Sequence, residues 1–466
     1  MKYLYSLIMA LAMVFTARAQ DNTLMFTKGI PQAAQMNAAF RPVNNWYIAM
    51  PALGSVQFKG ANSGFSWSDI IREGTGLQRD SLIIDLDYAA AQMKDNNLLA
   101  TEASLQVLGF GFAARHWFFT VDVNHKFKAQ VNYPLSLMDL RYGNWDYDTQ
   151  KPINHSLSDM HVNGLDYHEL ALGISREITE RLTLGLRVKY LIGVANVESE
   201  YLTLDMETFE NGDMRLIADA AFRTNVPLDV IYDAEGYVDE LSVSDSAEDL
   251  LSSTSNTGWG FDVGLTYRLG NKLTLGAAVN DLGFINWKEG TSRLYTQGSF
   301  DYNGVDVSDE LTGDEGDADY LDQLADDFKE TFRFSNDESS YKTNLMGNFN
   351  VSADYQPAKW INLGLVSKNY FVNDQVVPEL TVAAGLRAGR FLSTAISYSY
   401  MKNAPANLGA GLALNFGALQ VYGATDNLNA ALKPSTAKYV NARVGINFVF
   451  NRPWIEEEAS EETSWE

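Results

Sequence analysis

Apolar and polar residues alternate strictly over ten or more positions in several parts of the chain. Between residues 182 and 192 the apolar face contains Leu184, Leu186 and Val188, and the opposite face contains Gly185, Arg187 and Lys189. The same period of two runs through residues 117–128 and 440–450. This pattern predicts β-strands with one apolar and one polar face. Strands of globular proteins usually have about five or six residues, whereas a tilted strand that crosses a bilayer needs about ten.

Short and long connections between these strands alternate along the chain. Connections of two to four residues, such as Gly270-Asn271-Lys272 and Gly389-Arg390, are followed by longer segments, of which 61–102, 206–257 and 288–342 are the largest. An even strand count with this alternation indicates an all-β fold, a transmembrane antiparallel β-barrel with short periplasmic turns and longer extracellular loops. The sequence predicts fourteen strands: 46–59, 103–113, 117–130, 163–178, 182–205, 258–269, 273–287, 343–355, 360–372, 378–388, 391–401, 406–416, 419–426 and 438–450.

The first nineteen residues have the pattern of a secretory signal peptide. Lys2 precedes an apolar stretch from Leu4 to Phe15, and Ala17-Arg18-Ala19 supplies a small-x-small cleavage site. We therefore expect export, with the bacterial cell outer membrane as the destination. The predicted organisation is a signal peptide (1–19), an N-terminal plug or periplasmic segment (20–45), the transmembrane barrel (46–450) and an acidic periplasmic tail (451–466).

Composition excludes several classes of function. The chain has 35 basic and 59 acidic residues, a net charge of −24, which argues against nucleic acid as a partner. It has no cysteine, so disulfides and thiolate-bound metals are excluded. Its five histidines are scattered, and no Gly-x-Ser-x-Gly, His-Glu-x-x-His or phosphate-loop motif is present. We predict a protein that is not an enzyme and that has no catalytic residues, cofactor or metal site.

Charged residues on the predicted inner faces of the strands are the candidate site. Because a charge that faces lipid costs several kcal/mol near the bilayer midplane, these residues should face a lumen. Two interpretations remain open: ion pairs that brace the wall, or a polar path that also seats a plug. The candidates are Lys126, Lys128, Arg187, Lys189, Arg268, Lys368, Arg387, Arg443, Asp122, Asp262, Asp354 and Glu379.

Glycines share the predicted inner face with these charges. They include Gly185, Gly264, Gly364, Gly385 and Gly411. Small residues on an inner face leave room for another group. Residues 20–45 or a ligand would fill that room.

Three segments resemble the FadL/PorV-type outer-membrane barrels of Bacteroidota. They are residues 35–42 (Gln-Met-Asn-Ala-Ala-Phe-Arg-Pro), where the family usually has proline at the position of Ala38, residues 258–287, and the terminal strand that ends at Phe450. The resemblance implies fourteen strands, an N-terminal segment in or below the barrel, and insertion by the barrel-assembly machinery. Phe448 and Phe450 match the terminal aromatic signal that this machinery reads.

The expected function is that of a transporter or channel for small molecules, hydrophobic ones included. Its lumen would be gated by the N-terminal segment and by loops 206–257 and 288–342. The alternative is a non-transporting surface scaffold or a secretion-associated, PorV-like protein carrier. Residues 301–338, with fourteen acidic side chains against Lys329 and Arg333, would then bind a protein. The expected partners are outer-membrane lipid and lipopolysaccharide, the barrel-assembly machinery, and either a small-molecule ligand or a secreted protein.

Overall fold

A closed antiparallel barrel of fourteen strands forms in the computed structural model, which describes residues 22–74, 81–226, 228–243, 254–303, 326–372, 375–401 and 404–450. Two of the strands, β1 and β8, each consist of two segments. The strands are β1 (Trp46–Ala49 and Val56–Asn62), β2 (Asn96–Ala114), β3 (Trp117–Pro134), β4 (His161–Glu177), β5 (Leu182–Thr208), β6 (Thr257–Leu269), β7 (Leu273–Trp287), β8 (Tyr341–Asn344 and Asn348–Ala358), β9 (Ile361–Val372), β10 (Gln375–Ala388), β11 (Leu392–Met401), β12 (Ala404–Phe416), β13 (Leu419–Thr425) and β14 (Tyr439–Phe450).

The first strand closes the barrel because it pairs on both sides. Trp46 lies opposite Phe112 of β2 and opposite Phe450 of β14, and both pairings are antiparallel. Neither edge of the sheet is left with a row of unpaired backbone groups, which is what a bilayer requires. The predicted fold class and strand number are confirmed.

Strand β1 is interrupted between Ala49 and Val56, a break that the sequence did not predict. Pro51 lies in this break and has no N–H to donate to a neighbouring strand. The wall remains hydrogen-bonded there, because the Ala52 N–H donates to the Val107 carbonyl and the Ile446 N–H donates to the Leu53 carbonyl.

The two faces of the strands differ as the alternation predicts. On β4 the outward Leu172 is 55% exposed, whereas on β5 the inward Arg187 and Lys189 are buried. Leu184, Leu186 and Val263 also present their side chains outward. A closed barrel with an apolar outer surface and buried charges inside lies in a membrane. We refer below to the ends of the strands that are joined by short turns as the turn end, and to the opposite ends as the loop end.

The connections at the loop end carry additional structure. Met214–Asn225 extends the sheet beside the distal part of β5, and Ser292–Tyr302 and Ser335–Asp337 extend it further. Short hairpins pair Ile71–Glu73 with Leu82–Ile84, Trp145–Asp146 with Lys151–Pro152, and Leu228–Tyr232 with Val238–Val243. His155–Ser156 also pairs with β5.

The described helices are short and do not form part of the barrel wall. They are Asn22–Phe26, Trp67–Ile70, Leu86–Ala91, Ser136–Asp139, residues 326–331 and Leu428–Leu432, with 3-10 turns at Pro31–Gln35, Leu140–Tyr142 and Pro434–Thr436. Across the described ranges, none of the helices has the length and apolar character to cross a membrane.

Three predicted segments fall outside the described residues. They are the signal peptide (1–19), the tail (451–466) and the larger part of the acidic segment 301–338, of which residues 304–325 are not described.

Candidate functional site

The N-terminal residues 22–41, hereafter the plug segment, lie inside the barrel. Leu24 and Phe26 are fully buried, and Thr23 and Asn37 are buried as well. Phe26 packs with Met25 and Met36 of the same segment and with apolar side chains of the wall, among them Val366. The segment therefore occupies the lumen toward the turn end.

Glycines on the inner face make room for the plug segment. A Cβ atom added to Gly185 of β5 would lie 2.1 Å from the carbonyl carbon of Ala38, and one added to Gly264 of β6 would lie 2.1 Å from Asn37 Oδ1. Real Cβ atoms do not approach so closely. Any larger residue at these positions would push the segment away from the wall.

Side-chain amides of the wall bind the backbone carbonyls of the plug segment. Asn280 of β7 and Asn350 of β8 each donate from Nδ2 to the Met36 carbonyl at 3.0 Å. Gln420 donates to the Gly29 carbonyl at 2.9 Å. A backbone buried without regular secondary structure needs such partners. The polar inner face of the wall supplies them.

Ion pairs attach the segment at two further points. Lys28 Nζ lies 2.5 Å from Asp354 Oδ2, and Arg41 contacts Glu177 near the turn end. The Thr23 N–H donates to Asp426 Oδ1 at 2.7 Å. Asp354, a predicted lumen residue, thus belongs to the attachment of the plug segment.

Beyond the plug segment, toward the loop end, buried charges of β3 to β7 form one cluster, hereafter the charge network. Lys189 Nζ lies 2.6 Å from Asp262 Oδ1 and 2.6 Å from Asp281 Oδ1. Lys126 Nζ lies 2.7 Å from Glu169 Oε2. The remaining members are Arg187, whose guanidinium lies 2.7 Å from Asp122 Oδ2, and Lys128, 3.4 Å from Asp281 Oδ2. These pairs brace five adjacent strands.

Asp281 enters this network through a bulge in β7. Its backbone has a φ of +57°, and the pairing of β6 with β7 shifts register between Phe261 and Val263. A positive φ is uncommon for a non-glycine residue, and aspartate is among those that tolerate it. The carboxylate is placed within reach of Lys126, Lys128 and Lys189.

A cavity of about 140 Å³, hereafter the lumen cavity, lies between the plug segment and the loop end. Gln35 and Met36 of the plug segment line one side of it. Its charged lining consists of Lys59, Glu102, Lys126, Lys128, Glu169, Arg187, Lys189, Asp281, Lys368 and Arg443. Space of this size holds on the order of ten water molecules at ~10–15 Å³ each, so it accommodates a small solute.

An apolar cluster lies farther toward the loop end. Leu165 and Tyr167 of β4, Leu191 of β5, and Ile285 and Trp287 of β7 are buried against one another. The Trp287 indole N–H donates to Thr343 Oγ1 at 3.2 Å. The lumen thus changes from apolar near the loop end to charged at the lumen cavity.

The predicted site residues fall into three groups in the structure. Six of them join the charge network, and four lie elsewhere in the lumen: Lys368, Glu379, Asp354 and Arg443. Arg268 and Arg387 are instead near the turn end, where Arg268 is exposed. The six network residues are Lys126, Lys128, Arg187, Lys189, Asp122 and Asp262.

Sequence reasoning missed four residues that contribute to this site: Lys59, Glu102, Glu169 and Asp281. Glu169 could have been found, because it occupies the inner register of β4 two positions after Tyr167. Lys59 and Glu102, which lie 3.1 Å apart, fall at the ends of the predicted strands, where the register was not extended. Asp281 depends on a bulge that leaves no periodic signal.

The described part of the chain contains no group of three or more His, Asp or Glu side chains arranged to hold a metal ion.

Phe450, one of the two predicted assembly-signal residues, stacks on Trp46 where the last strand joins the first, with ring centroids 3.8 Å apart.

Comparison with solved structures finds similar barrels at low sequence identity. The toluene transporter TodX of Pseudomonas putida is 10% identical, with 92% of this chain and 94% of that chain covered and a TM-score of 0.39. A FadL homologue of Pseudomonas aeruginosa is 11% identical, with 94% and 100% covered and a TM-score of 0.43. The toluene transporter TbuX of Ralstonia pickettii is 9% identical, with 92% and 98% covered and a TM-score of 0.43.

A search of curated proteins gives no match. A family model, described as a family of unknown function (DUF5723), matches residues 39–426. This match spans most of the barrel, and the chain therefore belongs to the DUF5723 family.

Proposed function

We propose that this chain is an outer-membrane transporter that moves small molecules through its lumen when the plug segment shifts. The observation that carries the proposal is the lumen cavity, which is lined by buried charges and closed toward the turn end by Gln35 and Met36. A barrel that served only as a scaffold would not need a polar chamber in its lumen. The predicted signal peptide and the resemblance to FadL/PorV-type barrels of Bacteroidota support the bacterial outer membrane as its location.

The plug segment has the properties of a displaceable closure. Besides the apolar packing of Leu24 and Phe26, its contacts with the wall include hydrogen bonds to side-chain amides and two ion pairs, near Lys28 and Arg41. Water can replace such contacts at a modest net cost, about 0.5–1.5 kcal/mol for each hydrogen bond. The segment is covalently continuous with β1, so it can leave the lumen without leaving the protein.

A reversible tether tests this gate, and the absence of native cysteine makes the tether specific. A Cβ atom on Gly411 of β12 would lie 3.4 Å from Thr27 Cβ of the plug segment, close to the separation of about 3.5–4.5 Å in a disulfide. We expect the double variant Thr27→Cys/Gly411→Cys to block solute flux into proteoliposomes when oxidised and to restore it on reduction. The two single variants, treated with the same oxidant, are the controls.

The outcomes separate the two functions. Flux that is equal in the oxidised and reduced double variant would show that the plug segment is not the gate. If the wild-type protein passes no small solute in either state, the alternative is favoured, namely a non-transporting scaffold or PorV-like carrier. The observation that favours this second candidate is the extensive bonding of the plug segment to the wall, which would keep the lumen closed.

A further inference from the structure

Lys368 of β9 is a buried ammonium that faces the lumen cavity. Its side chain is 8% exposed, and its Nζ lies 5.1 Å from the centroid of the Tyr370 ring. Within the described residues it has no carboxylate at ion-pair distance and no hydrogen-bond acceptor. An ammonium is costly to bury unless it is paired. The cavity therefore contains a positive charge that a bound anion would neutralise.

Two further donors on the same cavity lack acceptors among the described residues. They are Gln57 Nε2 of β1 and Arg187 Nε of β5, both buried. Buried donors are normally satisfied, and each exception calls for an explanation. One lining acceptor, Asn280 Oδ1, also lacks a partner there. Because the unpartnered donors, with the Lys368 ammonium, outnumber this acceptor, they indicate a guest that mainly accepts hydrogen bonds.

The charge balance of the cavity favours a guest with a single negative charge. Seven basic side chains and three acidic ones line the cavity. Three more carboxylates lie close to these basic groups without lining the cavity. Asp122 pairs with Arg187 and Asp262 pairs with Lys189. Glu379 lies opposite Lys368 in the pairing of β9 with β10. With these three counted as ionised, one formal positive charge remains in excess. This local excess contrasts with the net charge of −24 for the whole chain.

We infer that the lumen cavity binds a small monocarboxylate, with Lys368 as its charged partner. The carboxylate accepts from the Lys368 ammonium, and the cavity volume limits the remainder of the solute to a few non-hydrogen atoms. Since it names the solute class of the proposed transporter, this inference rests on the proposed function. Binding at equilibrium can nevertheless be measured without any flux.

The test uses the full-length protein in detergent and equilibrium dialysis against radiolabelled butyrate. We expect saturable binding of one butyrate per chain and at least about a tenfold increase in Kd in Lys368→Met, as for loss of a charge-assisted hydrogen bond. Lys342→Met is the matched control, because Lys342 also lies over an aromatic ring, that of Phe284 at 3.7 Å, but is exposed. The control should bind butyrate like the wild type.

Other results would overturn the inference. The first is no saturable binding to the wild-type protein up to about 10 mM butyrate, a concentration tenfold above a millimolar Kd. The second is an equal Kd in Lys368→Met and Lys342→Met. The third is tighter binding of inorganic phosphate than of butyrate. Should Lys368→Met fail to fold, Gln57→Leu replaces it and should weaken binding severalfold. Flux without butyrate binding would refute the site and leave the transport proposal standing.

Discussion

The ring of Phe26 lies directly against the backbone of Gly364, so that a Cβ atom added to this glycine would be 2.1 Å from Phe26 Cε1. Phe26 belongs to the plug segment and Gly364 to the inner face of β9. The largest buried ring of the plug segment is therefore seated where the wall has no side chain. This complementarity makes the fit of the plug segment sensitive to a single methyl group.

We predict that Gly364→Ala loosens the plug segment without unfolding the barrel. Overpacking of a well-packed contact costs about 1–3 kcal/mol. Because displacement of Phe26 removes the clash with the new methyl group, this cost favours the displaced plug segment. Trypsin should cleave after Lys28 at least about fivefold faster, as expected for 1 kcal/mol at room temperature. Ion conductance through planar bilayers should rise in parallel.

Gly423→Ala is the matched control for this change. A Cβ atom on Gly423 of β13 would meet its nearest neighbour, Val444, at an ordinary 3.7 Å. Cleavage rates equal in the two variants would show that the fit of Phe26 to Gly364 does not hold the plug segment.

The barrel was predictable from sequence because lipid and lumen impose opposite requirements on alternate residues. Val444 and Phe448 of β14 face outward, whereas Arg443 and Asn447, each one position before them, are buried. The break in β1 after Ala49 was not predictable, since the apolar residues around Pro51 continue without a polar signal. Periodicity reports which face a residue occupies, and a bulge changes that face locally.

We predict that Lys189→Met destabilises the barrel by about 3–5 kcal/mol, the usual effect of removing one partner from a buried ion pair. Lys189 and Asp262 are almost fully buried, and the variant would leave the carboxylates of Asp262, Asp281 and Glu169 with too few cations. The measurement is the urea concentration at which the barrel unfolds in phospholipid vesicles.

Lys272→Met, at an exposed turn between β6 and β7, controls for the loss of a lysine as such. Should both variants unfold at the same urea concentration, the charge network would contribute nothing to stability.

The candidate site was only partly predictable. Arg187 and Lys189 were identified because strict alternation around them fixes the inner face. Asp281, the partner of Lys189, was not, because its left-handed backbone conformation interrupts the register of β7. The plug segment itself contains no β-period, and its place in the lumen was indicated by the inward glycines and by the family resemblance of residues 35–42.

We predict that Phe450→Ala slows insertion of the barrel more than it lowers its final stability. Phe450 stacks on Trp46 where the last strand joins the first, and an aromatic pair contributes about 0.5–1.5 kcal/mol beyond its buried area. The measurement is the rate at which heat-modifiable folded protein appears in the outer membrane. Phe416→Ala, an exposed aromatic at the turn end of β12, should have little effect on that rate. Equal slowing by both variants would mean that Phe450 acts as one member of an aromatic girdle and not as an assembly signal.

We predict that Leu172→Arg destabilises the barrel by about 2–4 kcal/mol in vesicles, the range for a basic residue on the lipid face near the midplane. Leu172 is outward and 55% exposed, and it lies in register between Val121 of β3 and Val188 of β5. Leu432→Arg, at a residue 73% exposed in a loop-end helix, should change the urea midpoint little. An arginine that is tolerated equally at both positions would mean that the outer face contacts water. In that case the cost of exposing charges to lipid could not explain why the charged residues face inward, and the inference that they line a lumen would fail.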